Sequence, residues 1–359
     1  MHRGMVAAVV AAGTGIGLIV SASAADLPAA PVYKAAPTVS PSGWYIYEDG
    51  IYENVALPSN LLGLHNVGPG LLDAGPTNNF STRLNGEGVR GGLGYVVPGT
   101  GWRMEATGSY VRADGTQNQT GALISNDAVG PVFLNGAPTK NAFTCGGIFN
   151  CSSTAQLSTS YVSWQAGGKI AYDMQWAGPV SLSPFVALFG GSNRSSQTLS
   201  QTFLQTGGGF VDNGTYGAST ALAWNDFGGR IGLDAIAPVT NWLSWSFAGS
   251  VGLADRMALL TGSDSASSTA FVFNGASAIS TSATTTAFVA NLESGFAIKP
   301  MPSVTLRAFG GVNFDNRVPG VSAPSYAGPI LAPTGATSAA ISFSSETSYY
   351  AGAGAIWKF

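Results

Sequence analysis

One stretch of this chain restricts its fold more than any other. From Val162 to Trp176 the side chains alternate in character. Val162, Trp164, Ala166, Gly168, Ile170, Tyr172, Met174 and Trp176 are apolar or small, whereas Ser163, Gln165, Lys169, Asp173 and Gln175 lie among the alternates. A period of two sends successive side chains to opposite faces of an extended strand, and an amphipathic helix does not sustain it. The pattern recurs from Trp102 to Tyr110, Leu243 to Leu253 and Val304 to Phe314, and strands are also expected through Leu222–Ala237 and Phe288–Ile298.

Composition says what kind of strand this is. Charged residues are 9% of the chain, against roughly 25% in soluble domains, yet mean hydropathy is only +0.21. A helical membrane protein would show repeated apolar runs of about 20 residues. Only Met5 to Ala25 is such a run; it follows a basic start at Arg3 and ends in Ala22-Ser23-Ala24-Ala25. That layout predicts a signal peptide over 1–25. An Ala/Pro-rich lead-in over 26–42 and a barrel over 43–359 follow. A strand with one face for lipid and one for water is the repeating unit of a transmembrane β-barrel.

The connections set the count. Four are tight, at Pro98–Gly101, Ala177–Pro179, Val239–Asn241 and Pro300–Pro302. Five are long and polar, at about 57–80, 117–158, 191–218, 260–283 and 317–341, and the two kinds alternate. Short periplasmic turns and long extracellular loops are the rule for outer-membrane barrels. The expected fold is an all-β, antiparallel up-and-down barrel of ten strands; twelve would follow from a hairpin hidden in 117–158, and eight is the other neighbouring count. The first strand, Trp44 to Val55, alternates poorly, because Glu48 and Asp49 cannot both face inward without a bulge.

Trp102, Trp176, Trp242, Trp245, Trp357 and Phe359 lie near tight turns or the C-terminus, as one interfacial girdle would require. Tyr110, Trp164, Trp224 and Tyr349 lie near the opposite strand ends. The inward alternates carry a nearly balanced set of charges: Arg103, Lys169, Arg230, Arg256 and Arg307 against Glu105, Asp173, Asp226, Asp234, Glu293 and Asp315. They are expected to pair and plug a narrow lumen, with a charged constriction as the alternative. Cys145 and Cys151, in an exported chain, are expected to form a local disulfide; with no nearby His they do not make a tetrahedral metal site. Arg83, Arg112, Arg194 and Arg317 fall at the loop ends of strands, where they could meet lipopolysaccharide phosphates or loop acids such as Asp114.

No cofactor, metal cluster or nucleotide loop is expected, and a net charge of −3 gives no footprint for nucleic acid. Once the signal peptide is removed, His65 is the remaining histidine, with Asp73 the nearest acid. That is too little for an omptin-like or lipase-like hydrolase, so no enzyme is expected.

The segment Tyr349–Phe359, with Tyr349, Ala351, Ala353, Ala355, Trp357 and Phe359 at alternate positions, resembles the C-terminal strand of bacterial outer-membrane barrels. The stretch Ala25-Asp26-Leu27-Pro28-Ala29-Ala30-Pro31-Val32-Tyr33-Lys34 is similar to the start of alphaproteobacterial porin-like barrel proteins. The resemblance implies a place in the cell outer membrane and biogenesis by the barrel-assembly machinery through the Phe359 strand. It implies no catalytic residue. The function expected is a structural or surface role with a narrow, plugged lumen; a porin-like diffusion channel is the alternative and an outer-membrane hydrolase the more distant one. Oligomeric state is left open.

Overall fold

The computed structural model describes residues 43–58, 63–67, 73–78, 80–122, 128–137, 143–145, 148–269, 275–327 and 334–359. The expected signal peptide and lead-in lie outside these residues. Ten long strands form the wall: β1 Trp44–Ala56, β2 Arg83–Val96, β3 Trp102–Ala122, β4 Asn150–Tyr172, β5 Val180–Gly207, β6 Phe210–Pro238, β7 Leu243–Ser268, β8 Gly275–Met301, β9 Val304–Ser322 and β10 Ala340–Lys358. Each pairs antiparallel with its sequence neighbours, and β10 pairs with β1. The ring therefore closes on ten strands, as the turns predicted. Closure leaves no open edge.

The outer face of β4 carries Trp164, Ile170 and Tyr172 exposed, continuing through Trp176 of the short strand Met174–Ala177. The twelve residues from Trp164 to Trp176, rising ~3.3 Å each at a tilt of ~40°, span about 30 Å. Val186, Leu188, Ile231, Leu233, Leu253, Leu292 and Phe296 continue this belt around the wall. Its lower rim holds Trp102, Trp176, Trp242 and Phe359 exposed, with Trp44 beside them. Its upper rim holds Tyr52, Tyr110, Trp164 and Tyr349. Trp224 does not join that rim. It is an inward residue of β6, buried against Tyr161 at a ring distance of 6.1 Å.

The strands run well beyond the belt. The stretch 191–218, expected as a long loop, is a hairpin: β5 and β6 stay paired from Ser181↔Ile236 to Gly207↔Phe210. Its tip is Gly207-Gly208-Gly209, all at positive φ, a backbone that only glycine adopts cheaply. Likewise β3 continues to Ala122 and β4 begins at Asn150, so the 117–158 connection shrinks to 123–149 and holds no further pair of wall strands among the described residues.

The reason is an inversion of polarity along each strand. Outward positions of upper β5 are Ser196, Thr198, Ser200 and Thr202, while inward Leu199 and Phe203 are buried. Above the belt the wall is a water-facing barrel with an apolar core. Below, it is apolar outside and charged within.

β1 needs no bulge. Its register with β2 and β10 is unbroken, so Asp49 points into the lumen and Glu48 points out onto the belt.

Candidate functional site

The lumen is built in tiers. At the bottom, Glu105 accepts hydrogen bonds from Tyr45 Oη at 2.7 Å and Tyr47 Oη at 3.3 Å. Lys169 Nζ lies 3.6 Å from Glu105 and 3.2 Å from Asp234. Arg103 reaches Asp234 at 3.0 Å and Asp173 at 3.5 Å, and Ser183 Oγ donates to Asp173 at 2.6 Å. Two cations and three carboxylates from β3, β4, β6 and the β4–β5 turn thus form one paired cluster.

The middle tier centres on Asp49, whose side chain is 0% exposed. It accepts from Arg90 Nε at 3.0 Å and Arg307 Nε at 2.7 Å. Arg90 also reaches Glu293 at 2.8 Å, and Tyr350 Oη donates to Glu293 at 2.9 Å. Two arginines on one carboxylate would be unfavourable alone; the second acid and the ring of Phe309, 4.6 Å from Arg90, spread the charge.

In the upper tier Arg256 is clamped between two carboxylates. It reaches Asp226 at 2.6 and 2.9 Å and Asp315 at 3.1 and 2.7 Å, and donates to the Arg317 carbonyl at 2.6 Å. Paired, planar contacts of this kind hold a guanidinium more firmly than one point contact. Arg230 has no carboxylate within 4 Å among the described residues and lies over the Phe189 ring at 4.2 Å.

Glycines on the inner face do not leave this space open. A Cβ at Gly94 would overlap the Tyr45 ring, and one at Gly352 the Phe309 ring. The rings of one strand lie over the glycines of the next.

Above the charges sits an apolar cap. Leu157, Leu199, Phe203, Leu222, Trp224 and Leu260 from the wall pack with Leu64, Phe80, Phe133 and Leu134 from the first two loops. A four-stranded sheet of Asp73–Pro76, Leu64–Val67, Ala128–Pro131 and Phe143–Thr144 organises those loops. His65 and Asp73 belong to it, their backbones pairing with Pro76 and Gly130, and with Val67; their side chains lie outside the description.

Two buried polar groups fasten the loops to the wall. Asp264 accepts from Leu134 N at 2.8 Å, Tyr216 Oη at 2.9 Å and Ser277 Oγ at 2.5 Å. Burial and the adjacent Asp264 carboxylate push the Tyr216 phenol well above its ordinary range, so it remains a donor. Gln201 accepts from Leu64 N at 3.0 Å and Asn78 Nδ2 at 3.2 Å. The disulfide Cys145–Cys151 forms, with a Cα separation of 5.5 Å. It is buried in the cap rather than exposed on a polar loop.

Of the eleven charges singled out in the sequence, ten stand at inward positions of the wall strands, and Asp173 follows the end of β4, within 3.5 Å of Arg103. Asp49, Arg90, Tyr45 and Tyr47 were missed. Asp49 and Arg90 could have been found by continuing the alternation Tyr45-Tyr47-Asp49 and Gly88-Arg90-Gly92.

Of the four rim arginines, Arg112 pairs with Asp114 at 2.7 Å. Arg83 donates to Asn54 at 2.8 Å and lies over Tyr349 at 5.5 Å. Arg112 and Arg194 both stand level with Val162 in the ladders, about 10 Å apart for two strand spacings, just above Trp164. Arg317 is exposed beside the irregularity at Asp315/Val318.

No family model and no curated protein matches the chain. Among solved structures, the outer membrane protease OmpT from Escherichia coli aligns at 10% identity over 89% of this chain and 97% of that one, with a TM-score of 0.38. A Pseudomonas aeruginosa FadL homologue aligns at 9% identity, over 88% and 90%, with a TM-score of 0.29. The translocator domain of the autotransporter NalP from Neisseria meningitidis aligns at 12% identity, over 90% of each chain, with a TM-score of 0.28.

Proposed function

We propose that this chain is an integral barrel of the Gram-negative outer membrane, of the alphaproteobacterial porin-like kind, with a structural and surface role and a lumen that does not conduct. The observation that carries the proposal is the bridging of the lumen by side chains: three tiers of ion pairs through the belt and an apolar cap above it. A ten-stranded wall is only slightly wider than the eight-stranded barrels whose interiors side chains fill, and here the rings over the inner glycines take up the difference. The role proposed is not an enzymatic one.

The belt and its two aromatic rims support embedding in lipid. Arg83, Arg112, Arg194 and Arg317 are the proposed contacts to lipopolysaccharide phosphates. β10, which carries Trp357, closes the ring against β1 and is followed by Phe359, is the proposed signal to the assembly machinery.

Refolded protein in planar bilayers tests the central claim. The expected trace is flat at moderate voltage. Stable unitary openings would make the protein a narrow diffusion channel instead, and peptide or phospholipid cleavage that depends on His65 would make it a hydrolase.

A further inference from the structure

Arg230 stands apart from the other cations of the lumen. Arg90, Arg103, Lys169, Arg256 and Arg307 each reach a carboxylate oxygen at 3.2 Å or less. Arg230 Nε is buried without a hydrogen-bond partner, and the rest of the guanidinium has none among the described residues. Its one close contact is the ring of Phe189, over which it lies at 4.2 Å.

The groups that act on Arg230 at longer range are already engaged. They are Asp226 on β6, Asp315 on β9 and the Tyr350 hydroxyl on β10. All four carboxylate oxygens of Asp226 and Asp315 contact Arg256. Tyr350 Oη donates to Glu293 and accepts from Asn291. Asp226 also lies four positions along the same strand, ~13 Å away at the strand rise. Arg230 and Arg256 therefore balance Asp226 and Asp315 in charge, yet the hydrogen-bonding capacity of Arg230 is unmet.

Its immediate surroundings supply no acceptor side chain. The ladder partners are Ala187 on β5 and Gly252 on β7, and the next inward residues of β6 are Gly228 and Gly232. A Cβ at Gly252 would meet Arg230 Cγ, so the aliphatic stem lies across that glycine and carries the guanidinium to Phe189. With a ring against one face, the N–H groups project in the guanidinium plane, as a fork that matches two oxygens of one oxyanion. Charged donors left unpaired in a buried setting are costly, and a bound acceptor removes the cost.

We propose that Arg230 anchors an anion site inside the barrel, which takes a small oxyanion of the phosphate or sulfate class edge-on against its fork. Solvent penetrates from the turn end, where Asp173 keeps 38% of its side chain exposed and Arg103 19%. The apolar cap lies at the other end, so the ion is held rather than passed. The site depends on the lumen alone and stands whether or not the belt is embedded in lipid.

The test is equilibrium dialysis of the refolded full-length mature protein, in uncharged detergent, against radiolabelled inorganic phosphate at constant ionic strength. Each protein is first shown to be folded by heat-shift electrophoresis. Wild type should bind one phosphate per barrel. Arg230→Met and Arg230→Gln should each bind at least about tenfold more weakly, the loss expected for hydrogen bonds to a charged group; either one, once folded, is enough for the comparison. Arg112→Gln combined with Arg194→Gln, on the outer wall, should bind as wild type does. Folded wild type that takes up no phosphate at millimolar concentration overturns the proposal, since water then satisfies Arg230. So does undiminished binding in a folded Arg230 variant, or binding lost in the outer-wall variant instead.

Discussion

Asp49 and Arg307 meet across an intervening strand. Asp49 belongs to β1 and Arg307 to β9, and the guanidinium reaches the carboxylate at 2.7 Å over β10. The path lies over Gly354, where a Cβ would collide with Asp49 Oδ1. One ion pair therefore ties three strands at the seam where the ring closes, and it depends on a glycine.

Asp49→Asn should be among the most destabilising single changes in the wall. It leaves Arg90 and Arg307 facing a neutral group, and breaking a buried ion network from one side costs roughly 3 kcal/mol. Urea unfolding from lipid vesicles, followed by tryptophan fluorescence, measures the loss. A change below about 1 kcal/mol would mean that lumen water compensates the two arginines.

Asp264→Ala should loosen the cap without opening the wall. It strips acceptors from Leu134 N, Tyr216 and Ser277 together, and orphaned buried donors cost about 1–3 kcal/mol each. The expected result is faster protease cleavage within 123–149, while the heat-shifted band of the folded barrel persists. Unchanged cleavage would show that the apolar packing alone holds the loops.

The disulfide closes a seven-residue loop, for which the chain-entropy model gives about 2.4 kcal/mol. Paired Cys145→Ser and Cys151→Ser changes should lower stability by that order. Because both sulfurs are buried in the cap, a mild reductant should leave the native bridge intact and cleave it only once the protein is unfolded. Thiol labelling before and after denaturation separates the two states.

Leu188 and Ser200 both face outward on β5. Leu188→Arg places a charge in the apolar belt and should cost about 2–4 kcal/mol. Ser200→Arg, on the water-facing wall above, should cost less than about 0.5 kcal/mol. Equal effects would place the lipid boundary elsewhere.

What the sequence made legible, and what it hid, follows from the two environments of one wall. On β4 the large outward residues Trp164, Ile170 and Tyr172 stand against polar alternates, so strand, face and length can all be read. On upper β5, Ser and Thr take the outward positions and Leu199, Gln201 and Phe203 the inward ones. The alternation survives there but changes sign, and a search for lipid-facing residues reads it as loop. β1 was obscured by adjacent acids. The pair Glu48-Asp49 looks like an interruption because one of the two must point outward, where the neighbouring strands carry apolar residues. The pairing of lumen charges is less accessible still: Asp49 and Arg307 are 258 positions apart, and only ring closure brings them together.

The triple-glycine hairpin at Gly207–Gly209 tops two of the longest strands in the wall. From Ser192, level with Trp164, β5 climbs fifteen residues to it, about 40 Å at the strand rise and tilt used above. With the barrel embedded as proposed, an antibody, a phage tail or a neighbouring cell approaching from outside would touch this tip before it reached the lipid, and a peptide epitope grafted between Gly208 and Gly209 would ride about 40 Å above the belt.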